Sequence, residues 1–261
     1  MKNQFAILSF IMVMLCSYSC KNDKTKVTPA AEAAPILKYN ITPFTQSPSF
    51  PDAKLSDMKY TDGMFTFNVE NYELGAQTDD ADSKMCANSA KGQHIHLIVN
   101  KDPYAAKYVN QFEHEVPDGE HHILAFLSRS YHESIKTANA HIAQKVIVSN
   151  GSMTEKEDIK DPMLFYSRPK GTYVGKKNTE KVMLDFYLCN TQISETGNYV
   201  EANINGEIHK ITKWQPYFIE GLPIGENYVG LVIKDKDGKE LDNPLNPVKR
   251  IFTLKEDLLE E

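Results

Sequence analysis

Apolar and polar residues alternate with a period of two along much of the chain. Phe65, Phe67 and Val69 alternate with Thr66 and Asn68, and Val182, Leu184 and Phe186 alternate with Met183 and Asp185. This alternation sends successive side chains to opposite faces and predicts half-buried strands. Val116-Pro117-Asp118-Gly119 and Leu222-Pro223-Ile224-Gly225 place Pro early and Gly late in a turn, ahead of the apolar runs Ile123–Leu127 and Val229–Ile233. Asp235-Lys236-Asp237-Gly238 adds a hairpin signal and lacks the later acidic residues of a calcium loop. The fold class read from this pattern is all-β.

The same blocks occur twice in one order. Phe112 to His121 aligns with Phe218 to Asn227 at an offset of 106, and His94 to Asn100 aligns with Tyr199 to Asn205 at 105. Lys145–Val148 aligns with Arg250–Thr253 at 105, and Val69 to Leu74 with Leu188 to Ile193 at 119. Ordered matches over most of a chain indicate duplication. Two units of about 100 residues, with short strands and turn signals, predict two tandem immunoglobulin-like antiparallel β-sandwich domains. We place them at 40–150 and 160–256.

Residues 1–19 have the pattern of a signal peptide: Lys2, an apolar run from Phe5 to Leu15, then small and polar residues. Ser17-Tyr18-Ser19-Cys20 resembles the cleavage site of bacterial lipoproteins, which implies lipidation of Cys20. Residues 20–39 are then a lipid-anchored flexible linker, and the chain is held on a Gram-negative envelope, with the membrane as a partner through the anchor. The expected place is the outer membrane, on its periplasmic or surface face. The composition, 41% hydrophobic and 25% charged, is that of a folded protein. A net charge of −6 without a long basic run argues against a nucleic-acid partner. With Cys16 removed and Cys20 acylated, Cys86 and Cys189 remain, and whether they pair is left open.

Seven of the eight histidines lie between His94 and His141. His94 and His96 share a strand face about 7 Å apart, and imidazole is the commonest metal-ligating side chain. His94, His96, His121 and His132 form the predicted zinc or copper set, with Cys86, His122, Met85 or an Asp of the long 74–94 connection (Asp79, Asp80, Asp82) as further ligands. The second copy has Tyr199, Glu201 and Asn227 opposite the first three, so the fold as such does not require those histidines. The second domain is accordingly expected to be a spacer or docking module, and the function a non-enzymatic binding protein.

The pattern H-x-H-L-x-V-N followed by G-x-H, over residues 65–148, resembles extracytoplasmic sandwich domains of unknown function from Gram-negative bacteria. Ser128-Arg129-Ser130-Tyr131-His132 resembles the Ser-Arg-x-His segment of forkhead-associated phosphopeptide-binding sandwiches, with one residue more. That likeness implies an alternative function, a peptide- or phosphopeptide-binding or adhesion module with Arg129 as the anion contact. Arg168 is a second candidate for such a contact. A metal- or Cys-dependent hydrolase is the other alternative, but neither His114-Glu115 nor His132-Glu133 completes HExxH, and there is no G-x-S-x-G. Trp214 is read as core rather than as a sugar-stacking platform.

Overall fold

A computed structural model describes residues 38–257; the signal peptide, Cys20 and nearly all of the linker lie outside the described residues. Seventeen strands account for the regular structure apart from three single turns of helix. In chain order they are β1 (Asn40–Pro43), β2 (Lys54–Thr61), β3 (Met64–Glu70), β4 (His94–Val99), β5 (Ala105–Lys107), β6 (Gln111–Glu113), β7 (Gly119–Ser128), β8 (His141–Ser149) and β9 (Ser152–Asp158). There follow β10 (Met163–Arg168), β11 (Gly171–Val174), β12 (Lys181–Cys189), β13 (Tyr199–Ile204), β14 (Glu207–Ile211), β15 (Tyr217–Glu220), β16 (Gly225–Lys234) and β17 (Val248–Lys255). Asp62-Gly63, Asn150-Gly151 and Asn205-Gly206 turn three hairpins with both residues at positive φ, the geometry that matches the twist of the flanking strands.

Four sheets form two sandwiches. In the first half β2-β3-β6 faces β5-β4-β7-β8-β9; in the second β1-β15-β12-β10 faces β11-β17-β16-β13-β14. All pairings are antiparallel except β11 with β17. The inner faces meet in two cores. One has Phe65, Phe67, Ile95, Leu97, Ile123 and Val146 at its centre; the other has Leu184, Phe186, Val200, Ala202, Leu231 and Phe252.

The pairing repeats between halves. His94↔Ser128 through Val99↔Ile123 in β4–β7 corresponds to Tyr199↔Lys234 through Ile204↔Val229 in β13–β16. Two details differ from the sequence reading. Asn40–Pro43, counted with the first sandwich, pairs with β15 of the second, because the chain crosses that sandwich before it enters its own. Gly119 pairs with Val148 and Gly225 with Leu254, so Lys145–Val148 corresponds to Ile251–Leu254, one residue beyond the expected match. Only this register puts Phe252 and Leu254 where Val146 and Val148 sit, in the core; a slip of one would turn both outward.

The described residues, 38–257, fall within one compact unit. A third core lies between the sandwiches and joins Ile98, Leu124 and Phe126 to Met163, Phe165, Tyr187 and Cys189. Strand β4 is therefore buried at all six positions, and one of its faces looks at the second half. His94 and His96 lie on that face.

Candidate metal centre

His94 and His96 project from β4, and a tight turn after β7 brings the third ring to them. Ser128 and Ser134 close that turn as a bridge, and the backbone N–H groups of Arg129 and His132 donate to the carbonyls of Glu133 and Arg129. His132 sits at φ 70, a left-handed conformation that costs a residue with a Cβ about 1–3 kcal/mol and persists where surroundings enforce it. The long connection supplies the enforcement. The Ser130 N–H donates to Thr78 Oγ1, the Thr78 N–H donates to Ser130 Oγ, and the Ser89 N–H donates to the Ser130 carbonyl.

Three ring nitrogens converge. His94 Nε2 lies 2.8 Å from His96 Nε2 and 3.0 Å from His132 Nδ1, and His96 Nε2 lies 3.4 Å from His132 Nδ1. A circle through them has a radius of about 1.8 Å, a little under the ~2.0–2.1 Å zinc–imidazole distance, so the three nitrogens would fit around one side of such an ion. His94 Nδ1 lies 2.8 Å from the Gly92 carbonyl. A carbonyl only accepts, so Nδ1 carries the proton and Nε2 presents its lone pair, the usual outer-shell arrangement of a metal-bound histidine. His96 Nδ1 has no partner; its ring is set by stacking on Tyr104, with centroids 3.6 Å apart and planes at 12°. The Tyr104 hydroxyl is 3.3 Å from His132 Nδ1.

The centre is electropositive even without an ion. Burial pushes His94 down to about 4, and the charges of Arg168 and Lys170 add to it, against the Gly92 hydrogen bond. Burial likewise holds His96 and His132 well below the usual histidine range, again with Arg168 and Lys170 contributing. All three rings are thus neutral at pH 7, the form that binds a metal. Lys170 is itself lowered to about 8 by burial and by Arg168 and Arg250. Its Nζ donates to the Tyr104 carbonyl at 2.6 Å and lies 3.8 Å from the centroid of that ring. The second half therefore walls the site, which a spacer module would not do.

The other candidates stand elsewhere. His121 donates from Nε2 to the Pro117 carbonyl and accepts at Nδ1 from Asn100, at 2.8 and 3.0 Å; both nitrogens are spent on a strand corner, so it is not part of the three-nitrogen group. His122, half-buried on the outer side of β7, is also outside it. Cys86 packs with Tyr131, Met183 and Phe218, and burial pushes its thiol up to about 11. It is a separate free thiol from Cys189. Asp80 pairs with Lys84 at 2.9 Å, while Met85 is exposed. Arg129 donates to the Pro48 carbonyl and faces Glu133 at 3.6 Å, so its guanidinium is engaged within the fold rather than free for an anion. Trp214 donates to the Phe186 carbonyl and meets Tyr187 edge-on. It borders a groove of 1080 Å³ with His141 and Lys136, and none of the three converging histidines lines it. Tyr104 and Lys170 are site residues that sequence patterns did not single out.

No family model matches this chain, and no curated protein matches it. Among solved structures it is similar to fibronectin(III)-like modules of Clostridium thermocellum CbhA, at 15% identity over 37% of this chain and 100% of that one, with a TM-score of 0.28. It is also similar to the extracellular domain of B. thetaiotaomicron BT3049, described as a hybrid two component system, at 10% identity over 78% of this chain but 38% of that one, TM-score 0.28. A third is Bacteroides ovatus SGBP-B of a mixed-linkage glucan utilization locus, in complex with a mixed-linkage heptasaccharide: 7% identity, 84% and 70% coverage, TM-score 0.20. None of these carries an assignment of function.

Proposed function

We propose that this chain is an envelope-anchored, non-enzymatic lipoprotein that binds one zinc or copper ion through His94, His96 and His132. The observation behind the reading is the triangle of ring nitrogens at 2.8, 3.0 and 3.4 Å. A hydrogen bond needs one donor and one acceptor; His94 Nε2, being bare, can accept from both neighbours, but two N–H groups would then face each other across the 3.4 Å between His96 and His132. One cation facing three lone pairs accounts for all three approaches at once. The donor set is all nitrogen, which suits zinc and copper rather than calcium or magnesium.

The test is metal analysis of the full chain purified without a His-tag, followed by titration of the stripped protein with zinc and copper(II). Near-stoichiometric metal, lost in His94→Ala, His96→Ala and His132→Ala, supports the reading. Stoichiometric binding that survives all three substitutions, or no binding at all, rejects it. Anchoring through Cys20 is tested separately: Cys20→Ser abolishes labelled-lipid incorporation and releases the chain from the membrane fraction.

A further inference from the structure

Three cationic side chains are buried among the described residues: Lys84, Arg129 and Arg168, at 3%, 7% and 5% exposure. Lys84 has Asp80 at 2.9 Å and Arg129 has Glu133 at 3.6 Å. Among the described residues Arg168 has no carboxylate within 4 Å; Asp185, opposite it in β12, pairs with Lys136 instead. The Arg168 Nε is without a partner, and its one side-chain hydrogen bond runs from Nη2 to the Tyr173 hydroxyl at 3.0 Å. A buried charge without a counter-charge is strongly unfavourable, so proteins pair such groups or place them to meet a ligand. Arg168 ends β10, on the sheet that covers the histidine face of β4, and shares the Tyr173 hydroxyl with the N–H of Lys170, whose Nζ reaches the Tyr104 carbonyl; its charge also bears on the three imidazoles.

A divalent ion makes the imbalance worse. Lys170 lies on the far side of the Tyr104 ring that stacks on His96, and no Asp or Glu belongs to the converging group. The three imidazoles are neutral donors, the second-half neighbours are positive, and three ligands would leave a zinc ion one place short of its usual four. An anion in that position would neutralise charge, fill the open coordination place and give the guanidinium the planar acceptor it binds best.

Building on the metal reading above, we propose that the centre takes a small carboxylate-type oxyanion as its fourth ligand, held between the ion and Arg168. Metal and anion then bind cooperatively, each tightening the other by the same factor. His94, His96 and Arg168 are all buried, so the smallest carboxylate, formate, is the probe of choice.

The experiment is zinc titration of the stripped full chain at constant ionic strength, in perchlorate alone and with formate replacing part of it. Formate should raise zinc affinity at least about tenfold and shift the visible absorption of the cobalt(II)-loaded protein. Arg168→Met should lose the formate effect while binding zinc in perchlorate as well as wild type or better, because a like charge is gone. Should that variant not fold, the wild-type comparison and Arg168→Lys decide. Zinc binding and a cobalt spectrum indifferent to formate overturn the anion proposal and leave the metal reading standing. If neither metal binds in either salt, both fall.

Discussion

His121 and Asn227 make the same two hydrogen bonds, one repeat apart. His121 donates to the Pro117 carbonyl and accepts from Asn100; Asn227 donates to the Pro223 carbonyl at 2.9 Å and accepts from Asn205 at 2.7 Å. In both halves the Asn of the facing strand also accepts the N–H of the next residue, His122 or Tyr228, at 2.8 Å. His121→Asn should therefore be accepted at the corner, with a stability change within about 1 kcal/mol and unaltered zinc binding. His96→Asn should abolish tight zinc binding. Equal losses from the two substitutions, read by titration and denaturation, would refute the separation of corner from centre.

The metal-free protein should lose stability in acid over a defined window. Unfolded, His94 titrates near 6.5, and folded it titrates near 4. Between these values the unfolded chain binds a proton that the folded chain does not, so stability is complete above pH 6.5 and drains away as pH falls toward 4. His94 alone accounts for about 3 kcal/mol at the bottom of the window, and His96 and His132 act in the same direction. Proton competition for the folded ligands is displaced downward with them. Zinc affinity at pH 5.5 should stay within a factor of about three of its value at pH 7, where ordinary histidines would already have lost much of theirs.

Phe126 is fully buried between the halves, stacked on Tyr187 with centroids 5.3 Å apart. Phe126→Ala should cost about 3–5 kcal/mol. Because that core is shared, the fluorescence of Trp214, the single Trp and a residue of the second half, should shift its unfolding midpoint together with the circular dichroism of the whole chain. A second half that unfolds at its wild-type midpoint would show two independent modules.

Cys86 and Cys189 are buried, and burial raises their thiols to about 11 and about 12. Neither should react with a thiol reagent at pH 8 in the native state, and both should react on denaturation. Fast labelling of the native protein would contradict their placement.

Gly92 adopts φ +82, and a Cβ there would land on the carbonyl oxygens of Gly75 and Ala76. Its own carbonyl orients His94. Gly92→Ala should weaken zinc binding at least about tenfold even where the circular dichroism remains that of wild type; unchanged affinity would show that His94 needs no such support.

Period-two alternation sufficed for the strands around Phe65–Val69 and Val182–Phe186, and the repeat alignment matched β4 to β13, which hold equivalent places in their sheets. The sharpest hairpin signals, Asp62-Gly63, Asn150-Gly151 and Asn205-Gly206, were present in the sequence and are as informative as the Pro-containing turns. That His94 and His96 converge was legible because residues two apart on a strand share a face. His121 was over-read, although its alignment with Asn227, a side chain that likewise both donates and accepts, already fitted a corner. What alternation cannot show is which exposed-looking face meets another sandwich. The packing of Ile98 and Phe126 against Phe165 and Tyr187 depends on contacts distant in sequence, and with it came Tyr104, Lys170 and the unpaired Arg168.

Strand β4 has no exposed position, and this governs time as well as affinity. An ion held as proposed among His94, His96 and His132 would have no wide mouth to leave by; its departure would wait on the parting of the His132 turn or of the two halves. Loss to a chelator should therefore keep pace with deuterium uptake by the β4 amides rather than with chelator concentration. On the proposed reading, such a centre would keep its ion like a resident rather than hand it on like a courier.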